Sequence, residues 1–346
     1  MAYSSVTVLF LSLALLLVAP AITQATLCNG HESLCERRYD QVTYLITHDS
    51  YAYGNNVAAT QSEPIIQQLN RGVRGLKFSA VLPDISITNK NDPRSLHLCH
   101  TSCSILDAGS AVDTLNQIGA WLKENPGEVV SIFWNNLYNL DIGHLAAAYE
   151  ASTVVPYIYT HGNNNQQQWP SLQEMIESGK RLVNFVDAGA DTSKTPWLMD
   201  EFSLVFETPY DNTNINAFNC SIDRPRDPPS ADTMMYVVNH FLYGVIELGF
   251  QIKVPQRDKA GETNGNSLKK HVDECSETFK RKPNYIEVDF YERGSALEYV
   301  AQLNGVQPLP SSTSSSPKKA IIDEKSAVDA ANYELNRLRS LGEHQK

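Results

Sequence analysis

The chain has 346 residues, of which 42% are hydrophobic and 19% are charged, a composition that excludes disorder as its main state. The formal net charge is −11, from 28 Lys and Arg against 39 Asp and Glu. An acidic chain without a dense basic run is a poor candidate for nucleic-acid binding. Its length suffices for one large domain with flanking segments.

Residues 1–25 predict a signal peptide. They contain no charged side chain, and the apolar run Val6–Val18 is followed by Pro20 and by small residues at Ala21 and Ala25. A transmembrane anchor is the alternative, but a membrane span needs about 20 apolar residues, and this run is shorter. We therefore expect a secreted protein without a transmembrane segment.

Short apolar runs alternate with amphipathic stretches along residues 26–305, as in a repeated strand–helix fold. The predicted strands are Val42–Thr47, Val73–Phe78, Leu96–Cys99, Val129–Trp134, Leu182–Val186, Ser203–Phe206, Phe250–Val254 and Tyr285–Phe290. The predicted helices are Val112–Leu122, Leu145–Ala151, Met234–Leu248 and Ser295–Leu303. This pattern predicts the α/β class and a single-domain (β/α)8 TIM barrel of about 280 residues with distorted regions.

The composition changes after Gly305. Residues 306–317 are rich in Pro, Ser and Thr, which predicts a linker. Residues 318–346 form a polar C-terminal tail with a marginal helical pattern, and we expect no catalytic residue there.

Six cysteines remain after the predicted cleavage. An even number in an exported protein indicates three disulfides. The first four cysteines form two local pairs, so we expect the bridges Cys28–Cys35, Cys99–Cys103 and Cys220–Cys275. Zinc binding is the competing interpretation, and the cysteine spacings and the export signal argue against it.

Polar side chains follow the predicted strands at the point where each strand ends. They are His48, Asp49, Ser79, His100, Asn135, Asp187, Glu207 and Asp289. In a (β/α)8 barrel these ends converge on one face, where the active site lies. Two histidines with carboxylate partners favour acid–base chemistry, in which one imidazole accepts a proton and the other donates one. A structural role is the better interpretation for a histidine that stands alone.

Several segments resemble motifs of the phosphatidylinositol-specific phospholipase C X-domain superfamily. They are the first catalytic motif at Leu45–Ser50, the second-strand motif at Gln68–Leu76, the second-histidine segment at Leu96–Cys103 and the closing strand at Asn284–Tyr291. The Cys28–Cys35 loop, the Leu106–Gly109 turn and Phe206–Tyr210 resemble the secreted, mostly fungal branch of PLC-like phosphodiesterases. The resemblance spans residues 28–305, and the order of the motifs makes it specific.

The resemblance implies a role for each matching residue. It makes His48 the general base, Asp289 the group that orients it, His100 the general acid and Asp49 the carboxylate partner of His100. In the family, the inositol 2-hydroxyl of the substrate attacks the phosphorus and forms a cyclic phosphate, which water can open. The implied substrate is a lipid, glycerol or inositol phosphodiester at a membrane surface, and we expect a monomer without cofactor or metal.

The chain departs from the family where the developing phosphorane charge is stabilised. Bacterial members carry an Asp-x-Arg pair on the second strand, and animal members hold calcium with carboxylates there and on the fourth strand. Lys77, Ser79 and Asn135 stand at these positions. Loss of a charge-stabilising donor typically reduces the rate by a factor of about 10²–10³. Lys77 can replace the cation if its strand face is the barrel interior, and alternation leaves that open.

The expected substrate-binding residues are Lys77, Arg74, Ser79, Asn135, Asp187 and Glu207. For Arg74, a structural ion pair is an equally good interpretation. Two other functions remain open at this point. One is a catalytically impaired barrel that binds a phosphorylated or sugar ligand, and the other is a metal-dependent phosphodiesterase that uses Asp49, Asp187, Glu207 and Asp289.

Overall fold

The computed structural model describes residues 27–309 apart from 85, 88, 101, 163–167 and 248–250. The predicted signal peptide and the C-terminal tail lie outside the described residues. The strands are β1 (Tyr44–Thr47), β2 (Gly75–Val81), β3 (His97–Cys99), β4 (Asp107–Ser110), β5 (Val130–Asn135), β6 (Leu182–Val186), β7 (Leu198–Asp200), β8 (Val205–Glu207), β9 (Met235–Asn239), β10 (Tyr243–Glu247), β11 (Gln251–Pro255) and β12 (Tyr285–Val288). The helices are α1 (Ile65–Asn70), α2 (Ala111–Glu124), α3 (Gly143–Glu150), α4 (Leu172–Glu177), α5 (Glu201–Leu204), α6 (Ala260–Glu262), α7 (Leu268–Phe279) and α8 (Ala296–Asn304).

Eight strands form a curled parallel sheet in the order β7-β6-β5-β2-β1-β12-β9-β8. The two end strands, β7 and β8, do not pair with each other in the described chain, so the barrel is open between them. The short helix α5 connects them, and Glu207 of β8 pairs instead with Arg224 in an isolated antiparallel bridge. The fold is therefore the distorted single-domain TIM barrel that the strand pattern predicts.

The parallel strands divide their side chains between two apolar cores, because successive residues of a strand point to opposite faces. One core fills the barrel interior and includes Tyr44, Ile46, Phe133, Phe185, Val237 and Tyr285. The other lies between the strands and the surrounding helices and includes Leu45, Leu76, Phe78, Ile132 and Trp134. Burial of each such side chain contributes roughly 1.5–3 kcal/mol to folding.

Helix α2 lies where the helical spacing predicts it. Val112, Leu115, Ile118 and Leu122 are buried on one face, and the helix ends at Glu124, before Pro126-Gly127. Proline and glycine disfavour continuation of the helix at this point, so local sequence is sufficient to place the element.

The prediction of a helix at Met234–Leu248 is wrong. This segment forms β9, which joins the barrel between β8 and β12, and then β10. β10 pairs with β11 in an antiparallel hairpin, so the strand candidate at Phe250–Val254 lies in this hairpin and not in the barrel. Leu248 and Phe250 themselves lie outside the described residues.

Two other predicted strands differ from the structure. The segment Leu96–Cys99 contributes β3, which pairs antiparallel with β2 and β4 at the side of the barrel sheet. The segment Ser203–Phe206 begins inside α5, and only its second half belongs to β8. This short helix lies between the two end strands of the barrel, β7 and β8, which do not pair with each other in the described chain.

Three disulfides join Cys28 to Cys35, Cys99 to Cys103 and Cys220 to Cys275, the pairs expected from the spacing. These sulfurs are therefore not available as zinc ligands. The second bridge closes the loop that carries His100, and the third ties the segment after β8 to α7. In the described part of the chain, no helix combines the length and the apolar character that a membrane crossing requires.

Candidate active site

A pocket of about 360 Å³ lies at the carboxyl ends of the barrel strands. The expected site residues in its lining are His48, Asp49, Lys77, Ser79, His100 and Asn135. They come from the segment after β1, from β2 and β5, and from the loop after β3. Parallel strands run in one direction, so residues at their carboxyl ends meet at one rim of the barrel.

His48 follows β1 and faces a carboxylate with each ring nitrogen. Its Nδ1 lies 2.8 Å from Asp289 Oδ1, and its Nε2 lies 3.6 Å from Asp49 Oδ2. The ring stacks on Phe241 with 4.0 Å between the ring centroids. The Nδ1–H donates to Asp289, which fixes the ring orientation and leaves Nε2 for the pocket.

The two carboxylates also set the charge of His48. Burial lowers the pKa of His48, but Asp49 and Asp289 outweigh burial and raise this pKa to about 9. His48 is therefore protonated at neutral pH in the free protein. Burial raises the pKa of Asp289, and His48 opposes this shift. The second Asp289 oxygen, Oδ2, is buried without a hydrogen-bond partner among the described residues.

His100 lies on the other side of Asp49. Its Nε2 is 3.4 Å from Asp49 Oδ2, the same oxygen that faces His48. Burial lowers the pKa of His100 below the usual value of 6.5, and the charge of Asp49 opposes this shift only in part. At neutral pH the pair of imidazoles therefore holds one proton more than two neutral rings would, and this extra proton resides on His48.

Asp49 is held in place by its backbone and by two hydroxyl groups. Its φ of +38° lies in the left-handed region, which is uncommon for residues other than glycine. Its Oδ1 accepts hydrogen bonds from Ser79 Oγ at 2.9 Å and from the Tyr51 hydroxyl at 3.2 Å. Ser79 thus lines the pocket and orients Asp49. Strained backbone of this kind, at about 1–3 kcal/mol, occurs preferentially at functional sites.

Lys77 points into the barrel, which resolves the face that strand alternation leaves open. Its Nζ lies 3.2 Å from Glu207 Oε1, 3.5 Å from Glu201 Oε2 and 5.5 Å from the centre of the Phe133 ring. Burial lowers the pKa of Lys77, but the two glutamates outweigh burial and raise it. Lys77 is therefore a permanently charged cation in the floor of the pocket.

Glu207 is expected from the sequence to bind substrate, but the structure has it as a buried counter-ion between two cations. It does not belong to the pocket lining. Its Oε1 faces Lys77, and its Oε2 accepts hydrogen bonds from Arg224 Nε at 3.0 Å and from Arg224 Nη2. Burial raises the pKa of Glu207, but Lys77 and Arg224 outweigh burial and lower it. The carboxylate is inaccessible because it ends β8 with its side chain inside the barrel.

Asp187 also lies outside the pocket lining, so its expected role in substrate binding is not supported. Its Oδ1 accepts a hydrogen bond from the backbone N–H of Asn136 at 2.8 Å. This contact holds the loop after β5, because Asp187 directly follows the neighbouring strand β6. Asn135, the last residue of β5, does line the pocket.

Arg74 lies at the opposite end of the barrel, and the expectation that it binds substrate is wrong. It precedes β2, so its side chain belongs to the amino ends of the strands, where it lines a separate cavity of about 140 Å³. Its Nη2 lies 2.7 Å from Glu128 Oε2, and its guanidinium packs 5.2 Å from the Trp121 ring. The alternative interpretation, a structural ion pair, describes it correctly.

Sequence reasoning missed several residues of the pocket, among them Arg224, Phe241, Tyr243 and Glu287. Glu287 shares the inward face of β12 with Asp289, so strand alternation could have found it. Burial raises the pKa of Glu287 to about 7, while Lys77 and His48 oppose this shift. Phe241 and Tyr243 follow β9 and were obscured by the helix prediction. Arg224 lies in irregular chain, where no periodic signal exists.

The pocket does not resemble a calcium site. Asn135 replaces one acidic ligand of the animal members, and Asp187 and Glu207 stand outside the pocket. Two groups of potential metal ligands occur in the described chain, but each contains a disulfide-bonded cysteine. Asp49 and Asp289 are paired with histidines. Of the two other carboxylates in the lining, Asp211 is paired with Lys253, and Glu287 lies in the field of the cations Lys77 and His48. These residues do not fit a divalent cation held by carboxylates.

A protein-family model described as PI-PLC X 1 matches residues 34–304. The chain belongs to the PI-PLC X domain family. It is 37% identical over 290 residues to "PI-PLC X domain-containing protein 1" of Arthroderma benhamiae, with 82% of this chain and 91% of that protein covered. It is 34% identical over 301 residues to an "uncharacterized secreted protein" of the same organism, with 83% of this chain and 66% of that protein covered.

The fold of this PI-PLC X domain is also found among solved structures. The phosphatidylinositol-specific phospholipase C from Listeria monocytogenes matches with a TM-score of 0.53, and the match covers 78% of this chain and 95% of that protein. A variant of the enzyme from Staphylococcus aureus matches with a TM-score of 0.50 and covers 80% and 95% of the two chains. The sequence identities are 16% and 13%, so these likenesses establish the barrel fold alone.

Proposed function

We propose that this PI-PLC X domain protein is a secreted phosphoric diester hydrolase that cleaves phosphatidylinositol-type phosphodiesters by acid–base catalysis. One observation carries the proposal. The Nε2 atoms of His48 and His100 meet at one oxygen of Asp49, at 3.6 and 3.4 Å, in an open pocket at the carboxyl ends of the strands. Two imidazoles so close together can serve one phosphate, one as base and the other as acid.

The roles of the two histidines follow from their partners. Neutral His48, oriented by Asp289, accepts the proton of the inositol 2-hydroxyl through Nε2. The 2-oxygen forms a bond to phosphorus, and the bond from phosphorus to the glycerol oxygen breaks. Protonated His100 donates its Nε2 proton to that leaving oxygen. The products are a cyclic inositol phosphate and diacylglycerol, and the proton count of the pair is unchanged.

This reaction requires the single proton of the pair to reside on His100, whereas the free protein keeps it on His48. A bound phosphate favours the transfer, because its negative charge beside His100 stabilises the imidazolium. Asp49 faces both rings and therefore interacts favourably with either protonation state. The fraction of reactive protein is small before the substrate binds and larger afterwards.

Hydrophobic side chains around the pocket support a substrate at a lipid surface. Tyr53, Leu137, Tyr138, Tyr210 and Val245 are exposed, and Leu137 and Tyr210 also line the pocket. Most of them lie in loops that follow the carboxyl ends of barrel strands. Exposed aromatic and aliphatic residues at a pocket mouth are typical of surfaces that contact membranes or other partners.

Secretion is part of the proposal, and the cysteines support it. All six are paired in disulfides, which persist in oxidising compartments. The apolar segment at the N-terminus and the similar protein named as secreted agree with export.

A turnover assay with the purified full chain tests the activity. We expect cyclic inositol phosphate, detected by ³¹P NMR, from vesicles that contain phosphatidylinositol, and no product from phosphatidylcholine vesicles. The rate should be unchanged in EDTA, since the pocket residues do not fit a metal. Loss of activity in EDTA would favour the metal-dependent alternative. Phosphate binding without turnover of phosphatidylinositol, its glycosylated forms or glycerophosphodiesters would favour the catalytically impaired barrel.

A further inference from the structure

Arg224 is a pocket residue that lies outside the family motifs. It belongs to the segment between β8 and β9, and its main chain runs along the free edge of β8. The Glu207 N–H donates to the Arg224 carbonyl at 2.7 Å, and the Asp223 N–H donates to the Glu207 carbonyl at 2.9 Å. This edge borders the opening between β7 and β8, so the Arg224 side chain enters the barrel through the opening.

The guanidinium of Arg224 is held firmly before any ligand binds. Its Nε and Nη2 groups donate to Glu207 Oε2, and its centre lies 4.5 Å from the Tyr210 ring and 5.5 Å from the Phe202 ring. A planar cation fixed by hydrogen bonds and by aromatic rings loses little conformational freedom when it binds an anion.

The Nη1 group is the part of Arg224 that remains for a ligand. It lies 4.0 Å from Asp187 Oδ2, beyond hydrogen-bond distance, and has no hydrogen bond to a described residue. The Arg224 side chain is 27% exposed, whereas that of Lys77 is 5% exposed and lies against two glutamates. Arg224 therefore presents N–H donors to the pocket, and Lys77 supplies positive charge from below.

Two cations converge on one buried carboxylate at the floor of the pocket. Lys77 Nζ lies 3.2 Å from Glu207 Oε1, and Arg224 donates to Glu207 Oε2. Glu201 is the second carboxyl near Lys77, and burial raises its pKa while the charge of Lys77 opposes this shift. An anion in the pocket would therefore lie in the field of both cations.

We propose that Arg224 binds the phosphoryl group of the substrate and replaces, from the opening of the barrel, the arginine that bacterial members carry on the second strand. This inference rests on the proposed function and names the donor that stabilises the charge developing on phosphorus. The Nη1 group donates to a non-bridging phosphoryl oxygen, and Glu207 holds the opposite edge of the guanidinium.

Substitution of Arg224 tests the proposal. Arg224→Gln should lower kcat/KM on phosphatidylinositol vesicles by a factor of about 10²–10³ and weaken competitive inhibition by inorganic phosphate about tenfold or more. Arg224→Lys keeps the charge opposite Glu207 and should recover part of both losses. Arg226→Gln removes the same charge from an exposed position two residues away and should change neither quantity. Thermal unfolding confirms that each variant is folded.

Chemical rescue adds a measurement that a purely structural role would not affect. Guanidinium ion in the assay should restore part of the activity of Arg224→Ala and none of the activity of a His100→Ala variant. Wild-type inhibition by phosphate in the folded Arg224→Gln protein would overturn the proposal. It would also be overturned if myo-inositol inhibition weakened while phosphate inhibition stayed constant, since Arg224 would then contact the head group.

Phosphate binding also separates this proposal from the proposed function. If wild-type protein cleaves no phosphodiester but binds inorganic phosphate, and Arg224→Gln does not, then the catalytic proposal fails and the role of Arg224 stands. If wild-type protein cleaves phosphatidylinositol and Arg224→Gln does so equally well, then the catalytic proposal stands and the role of Arg224 fails.

Discussion

The interior of the barrel has an aromatic half and a charged half with opposite chemistry. In the aromatic half, Phe133 packs against Phe185 and Tyr285 with 4.8 Å between ring centroids in each pair. In the charged half, buried charges such as Lys77 and Glu207 lie beneath the two histidines. The two halves are in contact, since the Lys77 ammonium lies 5.5 Å from the centre of the Phe133 ring.

Strand β12 shows how one strand serves both halves. Tyr285, Glu287 and Asp289 share its inward direction, because side chains alternate along the chain. Tyr285 stacks on Tyr44 in the aromatic core, with 5.6 Å between the ring centroids, while Asp289 binds His48 at the rim. The early inward positions of the strand stabilise the fold and the later ones perform chemistry. Changes in the two halves should therefore affect different measurable quantities.

The largest effect is expected from the two histidines. His48→Ala and His100→Ala should each lower kcat by a factor of about 10²–10⁴, because each removes a group that moves a proton. The midpoint of thermal unfolding should remain close to that of wild type in His100→Ala, since this side chain borders an open pocket. His48→Ala should unfold at a lower temperature, because it also loses the ion pairs with Asp49 and Asp289, and its kcat is compared where the variant is folded. His97→Ala is the matched control, because His97 pairs with Asp107 at 3.0 Å outside the pocket. Full activity of either pocket variant would refute the acid–base assignment.

The aromatic half should respond in the opposite way. Phe185→Ala should lower the free energy of unfolding by about 3–5 kcal/mol, because it leaves a cavity against Phe133. Urea denaturation measures this loss, and kcat of the folded fraction at 25 °C should stay near the wild-type value. If kcat fell as far as in the histidine variants, the two halves would not be separable.

Local sequence was sufficient for the elements that position His48 and its partner Asp289. Val42–Thr47 and Tyr285–Phe290 read as buried strands followed by polar residues, and the structure has β1 and β12 there, with His48 and Asp289 at their ends. Parallel pairing of β1 with β12 then brings the two side chains within hydrogen-bond distance. The sequence also predicts that Lys77 and Ser79 point to the same side of β2. Only the three-dimensional barrel shows that this side is the interior.

The remaining elements depended on tertiary contacts. Met234–Leu248 is apolar throughout, so periodicity could not distinguish a buried helix from two strands, and pairing of β9 with β8 and β12 decides in favour of strands. Arg74 was misplaced because it stands before β2, at the amino end of that strand, whereas the pocket lies at the carboxyl ends. Arg224 lies in chain without regular structure, and only the opening beside β8 brings it to the site.

The smallest predicted change is a shift in pH dependence on replacing Asp289. The reactive pair holds one proton more than two neutral rings. We therefore expect kcat/KM to fall at acidic pH, where His100, whose pKa is lowered by burial, is also protonated, and above about pH 9, where His48 loses its extra proton. Asp289→Asn removes one of the charges that raise the pKa of His48. The alkaline limb should therefore move to lower pH by roughly one to three units.

The free energy of unfolding should change over the same pH range. The pKa of His48 is about 9 in the folded protein and 6.5 in the unfolded chain, so its ion pairs stabilise the fold fully below pH 6.5 and lose this effect as the pH rises through 9. In Asp289→Asn, the free energy of unfolding should vary less between pH 6.5 and pH 9 than it does in wild type. Asp107→Asn, which alters the exposed partner of His97, is the control. An alkaline limb that stays at its wild-type position in Asp289→Asn would show that Asp289 does not set the charge of His48.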